Sequence, residues 1–189
     1  MRLAVLIAFF GMTTAALAGD DATLQAEIFG HTLDKDNGYA CYTRSYDAAH
    51  LAAHPHQNVT TAMLLLTGRP GPDGNYAADV DFTFRKHKKH FQAFGNCPSV
   101  STDPAKGPVQ QLSCGIDCDG GTIGVKLEDA DTVLVSLPGG ASGIDSSGNP
   151  SSGHFGSDDS VFKLSRAPAK TCLPLAKEDE DKAALKKLP

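Results

Sequence analysis

The stretch "NYAADVDFTFR", Asn75 to Arg85, decides the fold class. Tyr76, Ala78, Val80, Phe82 and Phe84 fall on one side of an extended chain. Ala77, Asp79, Asp81, Thr83 and Arg85 fall on the other. Alternation with period two over this length marks an antiparallel strand with one face in the core. The turn-forming run "GRPGPDG" (Gly68–Gly74) precedes it, and before that comes "NVTTAMLLLTG" (Asn58–Gly68). Its Met63–Leu66 run is apolar on both faces, as expected of a central strand.

Working outward, further strands are predicted at Leu24–His31, Tyr39–Tyr46, Phe91–Asn96, Val109–Cys118, Thr122–Glu128, Thr132–Leu137 and Ser160–Ser165. Eight to nine short strands separated by turn signals make the chain all-β. A single antiparallel barrel, a calycin-like meander, or a sandwich satisfies this pattern, and closure favours the barrel because it removes exposed edges. One short helix is expected at "DAAHLAAHP", with Asp47 as N-cap and Pro55 as stop. The segment Pro138–Ser160 is rich in Gly and Ser and reads as a long loop.

Residues 1–18 carry Arg2, the apolar "LAVLIAFF" and "ALA" at Ala16–Ala18, the pattern of a cleaved secretory signal. The expected organisation is a signal peptide over 1–18, one β-rich domain over 19–176 and a charged, solvated tail over 177–189. Export to a periplasm or outside the cell follows from the signal. No further segment has the length and apolarity of a transmembrane helix. The 22 acids outnumber the 17 Lys and Arg, which argues against a nucleic-acid partner.

An exported chain can form disulfides. Five cysteines leave at least one thiol unpaired in a monomer. Four of them (Cys97, Cys114, Cys118 and Cys172) lie in the second half and are the bridge candidates, with Cys41 as the free thiol. In "CGIDCDGGTIGV" (Cys114–Val125), Cys114 and Cys118 share one strand face, with the turn at Asp119-Gly120-Gly121. On a regular strand they stand roughly 13 Å apart, too far to bond to each other. A calcium loop starting at Asp117 fails, because Thr122 occupies the place that needs glycine.

Three constellations are candidates for function. In "HLAAHPH", His50, His54 and His56 form a possible Zn or Cu site; Leu51 replaces the glutamate of zinc hydrolases, so hydrolysis by that route is not expected. In "RKHKKH", the residues Arg85, Lys86, His87, Lys88, Lys89 and His90 form a cationic segment able to bind a ligand. A hydrolase of unknown type would use Cys41, or His154, Asp158 and Asp159 of the long loop. "GGASGID" around Ser142 lacks the Gly-x-Ser-x-Gly spacing of a nucleophile elbow.

A small exported antiparallel barrel is similar in architecture to calycin-type binding proteins and to bacterial periplasmic protease or lysozyme inhibitors. The lipocalin Gly-x-Trp signature is absent, since the chain has no tryptophan. The likeness is one of architecture and does not fix function, and neither catalysis nor a cofactor is expected. The leading expectation is therefore an exported, disulfide-stabilised protein that binds a small molecule in the barrel mouth or a protein partner at its loops.

Overall fold

The structure is a computed structural model and describes residues 19–71, 75–87, 89–98 and 111–188. The expected signal peptide and Lys88 lie outside them. Helix α1 (Gly19–Phe29) leads into β1 (Gly38–Ser45), helix α2 (Ala48–Ala53), β2 (Val59–Arg69), β3 (Asn75–Phe84) and β4 (Phe91–Cys97). Then follow β5 (Gln111–Ile116), β6 (Thr122–Asp129), β7 (Thr132–Ser136), β8 (Gly143–Asp145), β9 (Pro150–Ser151) and β10 (Val161–Ala167). A 3-10 helix (Ala169–Leu175) and helix α3 (Asp179–Leu185) end the chain.

Strands β1 to β7 form an antiparallel meander, and β10 closes it between β7 and β1 into an eight-stranded barrel. The seam between β4 and β5 is the shortest, its ladder being only Gly95↔Ile116 and Asn96↔Gly115. The other end of β4 pairs instead with β8, at Phe91↔Asp145 and Gln92↔Ile144. The hairpin β8–β9 thus continues the pairing of β4, giving part of the Gly/Ser-rich Pro138–Ser160 segment a regular structure.

The alternation in β3 is realised as written. Tyr76, Ala78, Val80, Phe82 and Phe84 point inward and are at most 5% exposed. The interior is packed with side chains, including the fully buried Tyr42, Phe82, Phe91 and Phe162. Both ends are stoppered. At one, α1 inserts Leu24 and Ile28, and Gln25 donates to the Tyr76 hydroxyl and accepts from the Leu33 amide. Arg166 caps this helix by donating to the carbonyls of Glu27 and Ile28. Glycine is required at Gly38 and Gly68, where a Cβ would run into Phe29 and Leu33. At the other end Phe155 meets Phe82, Phe84 and Phe91 edge-on, each with a centroid separation of 5.3 Å. The buried Asp159 pins that loop by accepting from the amides of Asn58, Val59 and Gly156.

The strand expected at Leu24–His31 is corrected to helix α1. Leu24, Ala26 and Ile28 alternate, but Leu24 and Ile28 also stand four apart, so one short segment satisfies both periods. The charged segment 177–189, expected as a solvated helix or a frayed tail, forms helix α3 and is largely exposed, but it buries Asp181 and Leu185. The outer faces of β1 and β2 carry Cys41 and Leu65, and the C-terminal segment covers them with Cys172, Leu175, Ala176 and Leu185 to make a second small core. This is why Met63–Leu66 is apolar on both faces: Leu64 and Leu66 fill the barrel, while Met63 and Leu65 meet the C-terminal segment.

Cysteine pairing departs from expectation at two positions. Cys41, expected to be free, bonds to Cys172 across 131 residues of sequence, because it faces outward into the second core. Cys97 bonds to Cys114, one step beyond the β4–β5 ladder. Cys118 is free and exposed. It does not lie on the strand at all, since β5 ends at Ile116 and the chain turns over Asp117–Gly120, where the Gly120 amide donates to the Asp117 carbonyl. The two central residues, Cys118 and Asp119, both have φ of 58°. That is the type I′ geometry, which favours Asn-Gly and costs other residues roughly 1 kcal/mol each. The double variant C118N/D119G is expected to raise stability by about 1 kcal/mol, read as a higher urea midpoint at constant m.

Candidate functional site

A groove of about 600 Å³ lies outside the barrel, along the outer face of β2, β3 and β4. Its floor follows from strand register. One row across the three strands is Leu65–Asp79–Phe94, and the next is Thr67–Ala77–Asn96. Residues directly opposite on neighbouring antiparallel strands bring their Cβ atoms to about 5 Å. The Asp79 carboxyl therefore sits between an aliphatic side chain and an aromatic ring.

The wall of the groove is the chain from Ala176 to Asp181, which leaves the 3-10 helix and enters α3. The Cys41–Cys172 bond anchors it from below. Asp181, only 6% exposed, clamps it to the barrel. Its carboxylate accepts two bonds from Arg69 Nη2, at 2.9 and 3.1 Å, and one from the Tyr39 hydroxyl at 2.7 Å. Tyr39 in turn accepts from Asn37. Burial pushes the Tyr39 phenol above its ordinary pKa; the Asn37 bond opposes this and Asp181 adds to it. Tyr39 thus remains a donor to Asp181.

Four carboxylates line the groove (Asp79, Asp117, Glu178 and Asp181) against two cations (Arg69 and Lys177). Arg69 is committed to Asp181. Lys177 places its Nζ 3.3 Å from the centroid of the Phe94 ring, a close cation–π contact. Among the described residues no hydrogen bond or ion pair engages Asp79. Burial raises its pKa to about 6; Lys177 pulls it back, and Asp181 pushes it further up. A half-desolvated, unpartnered carboxyl in a cleft is the pattern by which binding sites are recognised.

His50 and His54 lie on and just after α2, at the barrel end away from α1. The Asp47 carboxylate caps α2 by accepting from the His50 amide at 2.7 Å. The rings of His50 and His54 stack at 4.4 Å, and His50 Nε2 contacts Gln57 Oε1 at 3.0 Å. The His56 carbonyl packs against Gly156. Among the described residues no group of three or more His, Cys, Asp or Glu side chains is arranged to hold a metal.

The cationic segment is largely engaged within the molecule. Arg85 donates to the carbonyls of Leu51 and His54, closing the C-terminus of α2. His87 stacks on His154 at 3.4 Å. Lys89 pairs with Asp145 at 2.6 Å, and His90 contacts Asp81 at 3.1 Å. That lysine, followed by the amides of Asn149 and Ser147, holds the Asp145 carboxyl down at about 2. Lys86 is exposed.

Cys41 has no thiol to act as a nucleophile, since it is disulfide-bonded. Asp159 is occupied by backbone amides, Asp158 is exposed, and His154 packs against His87 and Phe84. A second depression, about 230 Å³, is lined by the glycine turns at 120–121 and 139–140.

Sequence reasoning missed the groove because Asp79, Ala77 and Thr67 look like ordinary solvent-facing positions of alternating strands. The signal that pointed to it was the two-faced Met63–Leu66 run, which requires a cover over the outside of β2. Among the described residues no helix is long and apolar enough to cross a membrane. Compared with protein-family models, with curated proteins and with solved structures, the chain has no match.

Proposed function

We propose that this is an exported binding protein whose ligand sits in the groove outside the barrel, between the face of β2–β4 and the chain from Ala176 to Asp181. Two disulfides and a closed barrel are compatible with export and binding. The observation that carries the reading is the contrast between inside and outside. The barrel is packed and stoppered at both ends, while the groove has the volume of a small-ligand site, mixed polar and aromatic lining, and the unpartnered Asp79. This moves the ligand from the barrel mouth, where the sequence alone would put it, to the outer wall.

The experiment is a titration of ¹⁵N-labelled protein with a panel of small amines, carboxylates and sugars, repeated on Ala77→Trp, which fills the floor. The expected result is a set of amide shifts confined to β2–β4 and to 176–181, abolished in the variant. Shifts that map to other surfaces, or none with any member of the panel, overturn the reading.

A further inference from the structure

The charges of the groove specify its ligand more narrowly, on the premise that the groove is the binding site. We infer that it takes a small aliphatic diamine, one ammonium of which rests between Asp79 and the Phe94 ring in the place that Lys177 now fills. Lys177 is exposed and belongs to the wall rather than the floor. Even so, its ammonium folds onto Phe94 at 3.3 Å and acts on the carboxyl of Asp79, which is opposite Phe94 in the ladder. The protein's own primary amine thus reports what chemistry the position holds: an aromatic face below, a carboxylate beside it and partial exclusion of water, which strengthens both attractions.

The remaining charges favour the same class. Arg69 is neutralised by Asp181. Once a ligand ammonium takes over Phe94, Lys177 swings back to solvent. Glu178 and Asp117 are then left on the rim for a second positive charge. An anion would meet Asp79 and this rim and be repelled. The groups facing Asp79 are Lys177 and Asp181, the latter held by Arg69. Protonation of Asp79 below about pH 6 removes the charge that attracts the amine, so affinity falls on acidification.

The test is calorimetric titration of the full chain with 1,5-diaminopentane at pH 8, with pentanoate as the anionic control. Lys177→Ala removes the competing ammonium and is expected to bind the diamine at least tenfold tighter than the unmodified protein. Asp79→Asn is expected to lose at least tenfold, alone or combined with Lys177→Ala, and to lose the fall in affinity between pH 7 and pH 5. Pentanoate is expected not to bind. Equal or weaker diamine binding by Lys177→Ala, or undiminished binding by Asp79→Asn, overturns the inference. Groove amides that respond to carboxylates or sugars but not to the diamine refute the ligand class while leaving the groove as the site. A groove silent to the whole panel removes both.

Discussion

Removing the Cys41–Cys172 bond, as C41A/C172A, is expected to lower the unfolding free energy by roughly 4–5 kcal/mol. The bond spans 131 residues, so it excludes most of the extended conformations open to the unfolded chain. The loop-closure relation gives about 5 kcal/mol for a ring of this size and about 3 kcal/mol for the separation of 17 residues at Cys97–Cys114. For a domain whose whole stability is on the order of 5–15 kcal/mol, the first loss is a large fraction. Its location matters as much as its size. Without the bond, the C-terminal segment is held by the small core around Leu65, Leu175 and Leu185, by the Asp181 clamp and by the Lys177–Phe94 contact. Hydrogen exchange is therefore expected to show early loss of protection over 169–185 in C41A/C172A, with the barrel strands still protected. In C97A/C114A the loss should instead centre on β4 and β5. Equal destabilisation by the two variants, or a loss below about 1 kcal/mol for C41A/C172A, contradicts this account.

The fold was legible where local periodicity and global burial agree. Strand β3 shows this best: its inward set could be assigned from five alternating residues because the opposite face is polar. The capped helix after Asp47 was equally plain, since Asp47 and Pro55 act through local backbone geometry. Where two periods coincide, as at Leu24 and Ile28, the sequence could not choose between a strand and a helix. Tertiary context chose, by offering an open barrel end for a helix to fill. Cysteine pairing failed for a related reason. Which face Cys41 presents depends on whether something covers the outside of β1, and that cover comes from the chain's last 20 residues or so. Turn chemistry failed more subtly at Cys118. The hairpin parity was right, but the type I′ turn sits at Cys118-Asp119 and not on the glycines, which places the thiol at an exposed apex. The groove is a product of register between three strands and a distant wall, and its key carboxyl is indistinguishable in sequence from its neighbour Asp81.

Asp79→Asn is expected to stabilise the fold by about 2–3 kcal/mol at pH 7 while weakening the diamine binding inferred for the groove at least tenfold. The sign follows from linkage. The folded state raises the Asp79 pKa from 3.8 to about 6, chiefly by burial, against the pull of Lys177. Between about pH 4 and pH 6 the folded chain therefore holds more proton than the unfolded one, and stability falls as the pH rises through that window. Above pH 6 the folded protein carries a poorly solvated charge, and the pKa difference corresponds to about 3 kcal/mol. Asparagine keeps the shape, removes the charge and removes that penalty. Urea unfolding from pH 4 to pH 8 checks it: the Asp79 contribution to the pH dependence should vanish in Asp79→Asn, with the curves converging near pH 4 and separating by pH 7. Asp81 supplies the contrast on the same strand. It is more fully buried than Asp79, but it accepts from Gln92 at 2.7 Å and contacts His90, so its charge has partners and Asp81→Asn is expected to destabilise. A residue whose removal helps folding is kept for something other than folding, and proteins hold such costs at sites that bind or react. If Asp79→Asn proves destabilising at pH 7, the carboxyl is a structural group, and the groove loses the feature that marks it as a site.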